Sequence, residues 1–150
     1  MTTLEVSISE QTLKVLENGV VQHCYSISSA KNGVGSEEGS LKTPTGNFII
    51  AEKHGHGAKI HTIFKGRVAV GQWSPGELCD DDLVTSRILW LDGQDTDNSN
   101  TKARYIYIHG TNHEDKIGNP HSCGCIRMHN QDVIELFENV TENTPVRISH

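Results

Sequence analysis

The residues best suited to chemistry lie between Tyr105 and Met128, in YIYIHGTNHEDKIGNPHSCGCIRM. Cys125 follows a glycine-containing turn and precedes Ile126-Arg127. His109 lies sixteen positions earlier, at the end of the alternating β-branched and aromatic stretch Tyr105-Ile106-Tyr107-Ile108. A free thiol with a pKa near ~8.5 is only a few per cent thiolate at neutral pH, so a cysteine nucleophile needs a base. A neighbouring imidazole supplies one, pairing with the thiolate as imidazolium and then returning the proton to a leaving amine. Gly124 allows the backbone to approach a substrate. The amides of Gly124 and Cys125 are placed to face a developing oxyanion, an effect worth about 3 kcal/mol per donor. Arg127 has two readings: a bidentate clamp for a substrate carboxylate, or a structural ion pair.

Three further histidines, His113, His121 and His129, crowd this segment and with Cys123 and Cys125 raise a zinc reading. Two features weigh against it. The C-x-C spacing is shorter than the usual C-x₂₋₄-C, and thiols in a glycine turn before a helix better serve a nucleophile. His54, His56 and His61 read as solvated loop histidines without partners at ligand spacing. Asp80-Asp81-Asp82 reads as a solvated charge cluster, because no glycine follows at calcium-loop spacing and no Glu closes the set. No metal and no other cofactor is expected.

The elements that must hold this segment follow from period and turn chemistry. Leu4, Val6 and Ile8 alternate with polar residues, and Thr12 to Leu16 is read as continuing that strand. Asn18-Gly19 is a two-residue hairpin turn, because both positions tolerate positive φ, and Val20 to Ile27 is the returning strand, with Cys24 as a small apolar residue on one face. Ser28 to Leu41 is a loop. Thr43-Pro44-Thr45-Gly46 is a rigid entry to the strand Asn47 to Ala51. Glu52 to Asp82 is the least regular region, with one short strand at Arg67 to Gly71. Ser86 to Leu91 is an apolar strand, Gly93 to Lys102 an exposed loop, and Arg104 to His109 the central strand. Asn130 is a good N-cap for a helix from Gln131 to about Asn139, with Val133, Leu136, Phe137 and Val140 as its apolar stripe. Val146 to Ile148 is a last strand. With no repeat and no linker, residues 1–150 read as one domain.

Composition narrows the function classes. A length of 150 residues suits one domain, and an apolar fraction of 35% with abundant turn residues suits many short strands. A net charge of -6 without a Lys/Arg run excludes a nucleic-acid backbone as partner. No apolar run approaches the roughly 20 residues of a membrane span. The four cysteines, Cys24, Cys79, Cys123 and Cys125, are too few and too uneven for a disulfide framework. The N-terminus enters a strand pattern directly, with neither a basic nor an apolar signal region. The expectation is a cytoplasmic chain or one whose export signal has been removed, and location is left open.

Ile108-His109-Gly110-Thr111-Asn112, then Ile117-Gly118, then Ser122-x-Gly124-Cys125-Ile126-Arg127-Met128 resembles the signature of the L,D-transpeptidase catalytic domain (YkuD/ErfK type). Thr43-Pro44-Thr45-Gly46 is similar to that family's second recurrent motif, and the N-terminal hairpin to its opening strands. The resemblance implies a mainly β, mixed-sheet sandwich or barrel-like fold with one helix and a mobile lid, which the irregular Glu52 to Asp82 segment would form. It implies peptidoglycan transpeptidation, hence cell-wall biogenesis and cell shape, outside the cytoplasm. Peptidoglycan stem peptides would be the substrates and carbapenem-type β-lactams acylating inhibitors.

By position, Cys125 would attack the amide after the third residue of a stem tetrapeptide, release D-alanine and pass the acyl group to an amine. His109 would be the proton donor and acceptor, oriented by the Gly110 carbonyl, and Gly124 would offer an oxyanion amide. Arg127, Ser122, Thr111, Asn112 and His121 would bind substrate. One position departs from the family: Cys123 stands where it usually has His. That change is expected to lower activity, with His121 in partial compensation, and it permits a Cys123–Cys125 disulfide as a reversible off-switch. The competing readings are an L,D-carboxypeptidase or other hydrolase on the same substrate, and an inactive peptidoglycan-binding module.

Overall fold

The alternation at the N-terminus forms a strand because one side of it meets a core. In the computed structural model, which describes residues 1–150, β1 (Thr2–Ser7) buries Leu4 and Val6 and leaves Glu5 outside. The chain then reverses at Ser9 to Gln11, so β2 (Thr12–Glu17) is a separate antiparallel strand and not the expected continuation. Gln11 makes this turn with φ +54° and is held there by its own amide, which bonds the Ile8 carbonyl and both the amide and hydroxyl of Ser29. Asn18 and Gly19, at φ +51° and +81°, close the next hairpin onto β3 (Val20–Ser28), where Cys24 is exposed.

The following strands are β4 (Gly46–His54), β5 (Thr62–Lys65), β6 (Val68–Gln72), β7 (Val84–Gly93), β8 (Tyr107–Gly110) and β9 (Ile126–Met128). The helix α1 (Asn130–Asn139) and β10 (Pro145–Ser149) complete the chain. All ten strands belong to one mixed sheet in the order β4-β10-β1-β2-β3-β9-β8-β7-β5-β6, and β4 also pairs with β7. That pairing closes the sheet into a barrel, with β5 and β6 as a hairpin hung from β7. The β1–β10 and β8–β9 pairs are parallel. Closure leaves the barrel strands no free edge.

The inward side chains of the barrel, among them Leu4, Leu13, Ile27, Phe48, Leu91, Ile108 and Ile126, form the main core together with Val133, Leu136, Phe137 and Val140. The spacing of these four is the apolar stripe of a helix. Burying each side chain contributes about 1.5–3 kcal/mol, which holds α1 against β7 and β8. On the opposite face of the wall, Phe64, Ile88, Trp90 and Tyr107 make a second, smaller cluster, with Cys125 packed against it.

Five expectations are corrected. Glu52 to Asp82 holds more strand than expected, because β4 runs on to His54 and the β5–β6 hairpin follows, while residues 55–61 and 73–83 lie outside any strand. Within it, His54 is not partnerless, since its Nε2 lies 3.0 Å from Glu52 Oε1. Gly93 to Lys102 is not simply exposed, because Asn98 and Thr101 are fully buried. Asn98 bonds the carbonyls of Thr45 and Asn47 and so ties this turn to β4. The central strand starts at Tyr107, because Tyr105 adopts φ +57°. His129, not Asn130, is the N-cap of α1; Asn130 is its first residue, with a buried side chain turned inward.

Candidate active site

Register places the reactive side chains. In the parallel β8–β9 pair, His109 faces Arg127 and Ile108 faces Ile126. Ile108 and Ile126 point into the barrel, so the alternate residues His109, Arg127 and, one step earlier, Cys125 share the outer face. Main-chain hydrogen bonding thus brings together two residues sixteen positions apart in sequence.

The turn before β9 is fixed by residues from three places. Ser122 Oγ donates to the Cys125 carbonyl at 2.6 Å and accepts the Gly124 amide at 3.3 Å. Thr43 is fully buried; its hydroxyl donates to the Gly124 carbonyl at 2.9 Å and accepts the Ala30 amide at 2.9 Å. Arg104 bonds the neighbouring Lys42 carbonyl. Gly124 has φ +124°, and a Cβ there would stand 3.3 Å from the Lys42 carbonyl oxygen, so glycine is required. The Thr-Pro-Thr-Gly segment, besides entering β4, therefore acts through Thr43 as a clamp on the turn before Cys125.

The Cys125 thiol lies between two main-chain groups of β8 and its lead-in. It accepts the Tyr107 amide at 3.3 Å and donates to the Tyr105 carbonyl at 3.4 Å. The left-handed turn at Tyr105 accompanies that carbonyl's approach to the sulfur. Burial pushes the thiol up to about 11; the Tyr107 amide opposes the rise, and the Asp82 carboxylate adds to it. His109 is 2% exposed. Its Nδ1–H donates to the Gly110 carbonyl, which as a pure acceptor leaves the proton on Nδ1 and a lone pair on Nε2. Burial holds the imidazole below the usual histidine range, only partly offset by the Gly110 carbonyl. Both shifts favour the neutral forms of the two groups, and His109 Nε2 makes no hydrogen bond to the sulfur.

The turn after His109 is equally constrained. A Cβ on Gly110 would come within 2.5 Å of Asn130 Oδ1 and 2.6 Å of the Thr85 carbonyl oxygen. Asn130 accepts the hydroxyls of Thr85 and Ser86 and donates to the Thr111 carbonyl at 2.9 Å. It thereby ties β7, the His109 turn and the start of α1 into one polar knot.

The remaining predicted residues divide by what already occupies them. Ser122 and Thr111 are buried, and their hydroxyls hold local turns; Thr111 Oγ1 accepts the His113 amide at 3.0 Å. Asn112 is spent on residues 73–83: its side chain donates to the carbonyls of Cys79 and Asp81 and accepts the Leu83 amide. Gly124's amide is taken by Ser122, whereas the amide of Cys125 donates no hydrogen bond, so the latter is the free donor of the two. Arg127 is 2% exposed and pairs with Asp82, Nη2 to Oδ2 2.8 Å, while its Nη1 bonds His121 Nδ1 at 2.9 Å. Asp82 is thus ion-paired as well as partly exposed, whereas Asp80 and Asp81 are exposed. His121 is held below its usual range, first by burial and then by the Arg127 cation. Cys123 is exposed with a free thiol. No group of three or more His, Cys, Asp or Glu side chains is arranged to hold a metal ion.

Beside this wall lies an open cavity of about 710 Å³, lined by residues 73–80 on one side and by Asn112, Glu114, Asp115 and His121 on the other. No helix is long and apolar enough to cross a membrane.

Comparison with known proteins places the chain in a family. A model described as the YkuD L,D-transpeptidase catalytic domain matches residues 1–148. A Bacillus licheniformis protein named "Putative L,D-transpeptidase YkuD" is 55% identical over 146 residues, and its Bacillus subtilis namesake 33% identical over 146 residues. Each alignment covers 97% of this chain, which spans 64% and 65% of the lengths of those relatives. Among solved structures, LdtMt1 in complex with imipenem superposes with a TM-score of 0.62 at 19% identity, covering 99% of this chain and 58% of that one. L,D-transpeptidase 3 from Mycobacterium tuberculosis, with a faropenem-derived adduct, gives 0.64 at 17% identity, covering 99% and 60%. These likenesses bear on the fold: a mainly β, barrel-like domain with one helix. The chain belongs to the L,D-transpeptidase catalytic-domain (YkuD) family.

Proposed function

We propose that this domain is a cysteine-dependent L,D-transpeptidase acting on peptidoglycan stem peptides, with Cys125 as nucleophile and His109 as its base and acid. The observation that carries the reading is the β8–β9 register, which sets a thiol and an imidazole with a free Nε2 lone pair on one face of the barrel wall.

The chemistry starts from neutral partners. A thiol raised from 9.0 to about 11 disfavours free thiolate by about 3 kcal/mol, so ionisation is coupled to attack. The S–H turns from the Tyr105 carbonyl towards Nε2 of His109 as sulfur attacks the scissile carbonyl. The oxyanion is met by the free amide of Cys125, and the Tyr107 amide continues to bond the sulfur. His109, now imidazolium, gives its proton to the departing D-alanine nitrogen, leaving a thioester. An acceptor amine then loses its proton to Nε2 and displaces the thiolate, which recovers the proton from His109. Gly110 holds Nδ1–H throughout and keeps the productive tautomer. The imipenem complex of LdtMt1 supports carbapenems as probes of the same thiol.

Incubation with a disaccharide tetrapeptide, with and without an added amine, tests the reading by product analysis. The expected result is D-alanine release together with a cross-linked product when amine is present. Tripeptide alone under both conditions would show a carboxypeptidase instead. An unchanged substrate would leave the domain as a binding module.

A further inference from the structure

We propose that Asp82 is a resident anion on Arg127, which an incoming peptide carboxylate must displace, so that residues 73–83 open as substrate binds. This deepens the transpeptidase reading and rests on it for the identity of the substrate.

Arg127 is an incompletely used cation. It is 2% exposed, yet Asp82 meets it at one point, Nη2 to Oδ2, and its Nε is buried with no hydrogen-bond partner. A guanidinium offers two parallel N–H bonds to a carboxylate placed in its plane, and such a fork is stronger than a single contact. A mobile carboxylate that reaches Nε and Nη2 together would satisfy the orphaned donor, which the tethered Asp82 does not. The position suits a substrate, because Arg127 stands beside His109 and on the same face as Cys125.

The segment carrying Asp82 is built to leave. Residues 73–83 contain no strand or helix. Beyond Asp82, the wall holds this segment by the Asn112 side chain, through Cys79, Asp81 and Leu83, and by His113 Nε2, which bonds the Cys79 carbonyl. Like charges oppose its closed position: Glu77 and Asp80 face Glu114 and Asp115 across the cavity, with Lys116 as the basic residue there. Once another carboxylate takes over Arg127, the cation no longer selects the closed loop, and the barrel strands lose none of their pairings.

The test uses N-acetyl-D-alanine as the carboxylate probe and N-acetyl-D-alaninamide as its uncharged control, with the full chain in a Cys125→Ala background. That background separates the latch from the reaction, because neither probe is turned over. In the parent, the acid should bind and speed hydrogen exchange of the amides of residues 77–83, and the amide should do neither. Asp82→Asn should tighten binding of the acid about tenfold and make the loop exchange fast before any probe is added. Asn112→Ala, which leaves both charges in place, should shift affinity in the same direction by a smaller factor. Failure of the acid to bind, unchanged or weaker affinity in Asp82→Asn, or slower loop exchange on binding would overturn the proposal.

Discussion

The wall of β7, β8 and β9 and the loop of residues 73–83 meet at one ion pair but are held by different forces. The wall positions Cys125 and His109 by main-chain pairing, with a closed barrel and buried Ile108 and Ile126 behind it. Past Trp73, whose amide bonds the His61 carbonyl and whose ring is buried against His61, the loop is held to the wall by side-chain contacts: the Asn112 amide, the His113 ring and the Asp82–Arg127 pair. Backbone ladders backed by a core open only with the whole fold, whereas a few polar contacts at a surface open locally. On the proposed reading, chemistry falls to the part held by the fold, and access to the part held by a few polar contacts.

Substitutions that distinguish the two regions should fall in order of effect. Cys125→Ala should reduce acyl transfer to background, whereas Cys123→Ala should leave most of it, as measured by D-alanine release. Next is the clamp on the turn. Thr43→Val strands the buried Gly124 carbonyl and Ala30 amide and should cost about 1–3 kcal/mol in denaturant unfolding, with slower acylation of Cys125. On the loop side, Asp82→Asn leaves a buried guanidinium without its anion. Because Asp82 is partly exposed, a modest loss of about 1–2 kcal/mol is expected in the same assay. Asn112→Ala should barely shift the global midpoint while speeding hydrogen exchange at Cys79 to Leu83, the clearest sign that loop and wall are separable.

The pH dependence of the thiol follows from its burial. Only thiolate alkylates, and a thiol pushed up to about 11 stays below its midpoint across the neutral range. Iodoacetamide labelling of Cys125 should therefore rise about tenfold per pH unit between roughly pH 7 and 9 without a plateau. A plateau near neutrality would mean a resting thiolate–imidazolium pair.

Sequence made the wall legible and the loop obscure, for physical reasons. Strand alternation, the Asn18-Gly19 turn and the stripe Val133, Leu136, Phe137 and Val140 are local periodic signals, and each marks an element that forms. Thr43, Asn130 and Asp82 carry no such signal. Their partners lie far off in sequence, Gly124 for Thr43 and Arg127 for Asp82, so only the closed barrel shows their use. Capping is what an asparagine at 130 does locally, but burial against Thr85 and Ser86 draws the side chain inward. The place of Ser122, Thr111 and Asn112 in a motif does not reveal that their polar atoms brace turns and loop. The cysteine in place of histidine at 123 could be read directly, and it stands exposed beside the turn.

The most direct measurement is intact-mass and peptide-mapping analysis of the protein after brief exposure to a disaccharide tetrapeptide. The account predicts a thioester adduct of the tripeptide acyl group on Cys125, absent from Cys125→Ala and retained in Cys123→Ala. An adduct mapped to Cys123, or D-alanine release that survives in Cys125→Ala, would contradict it.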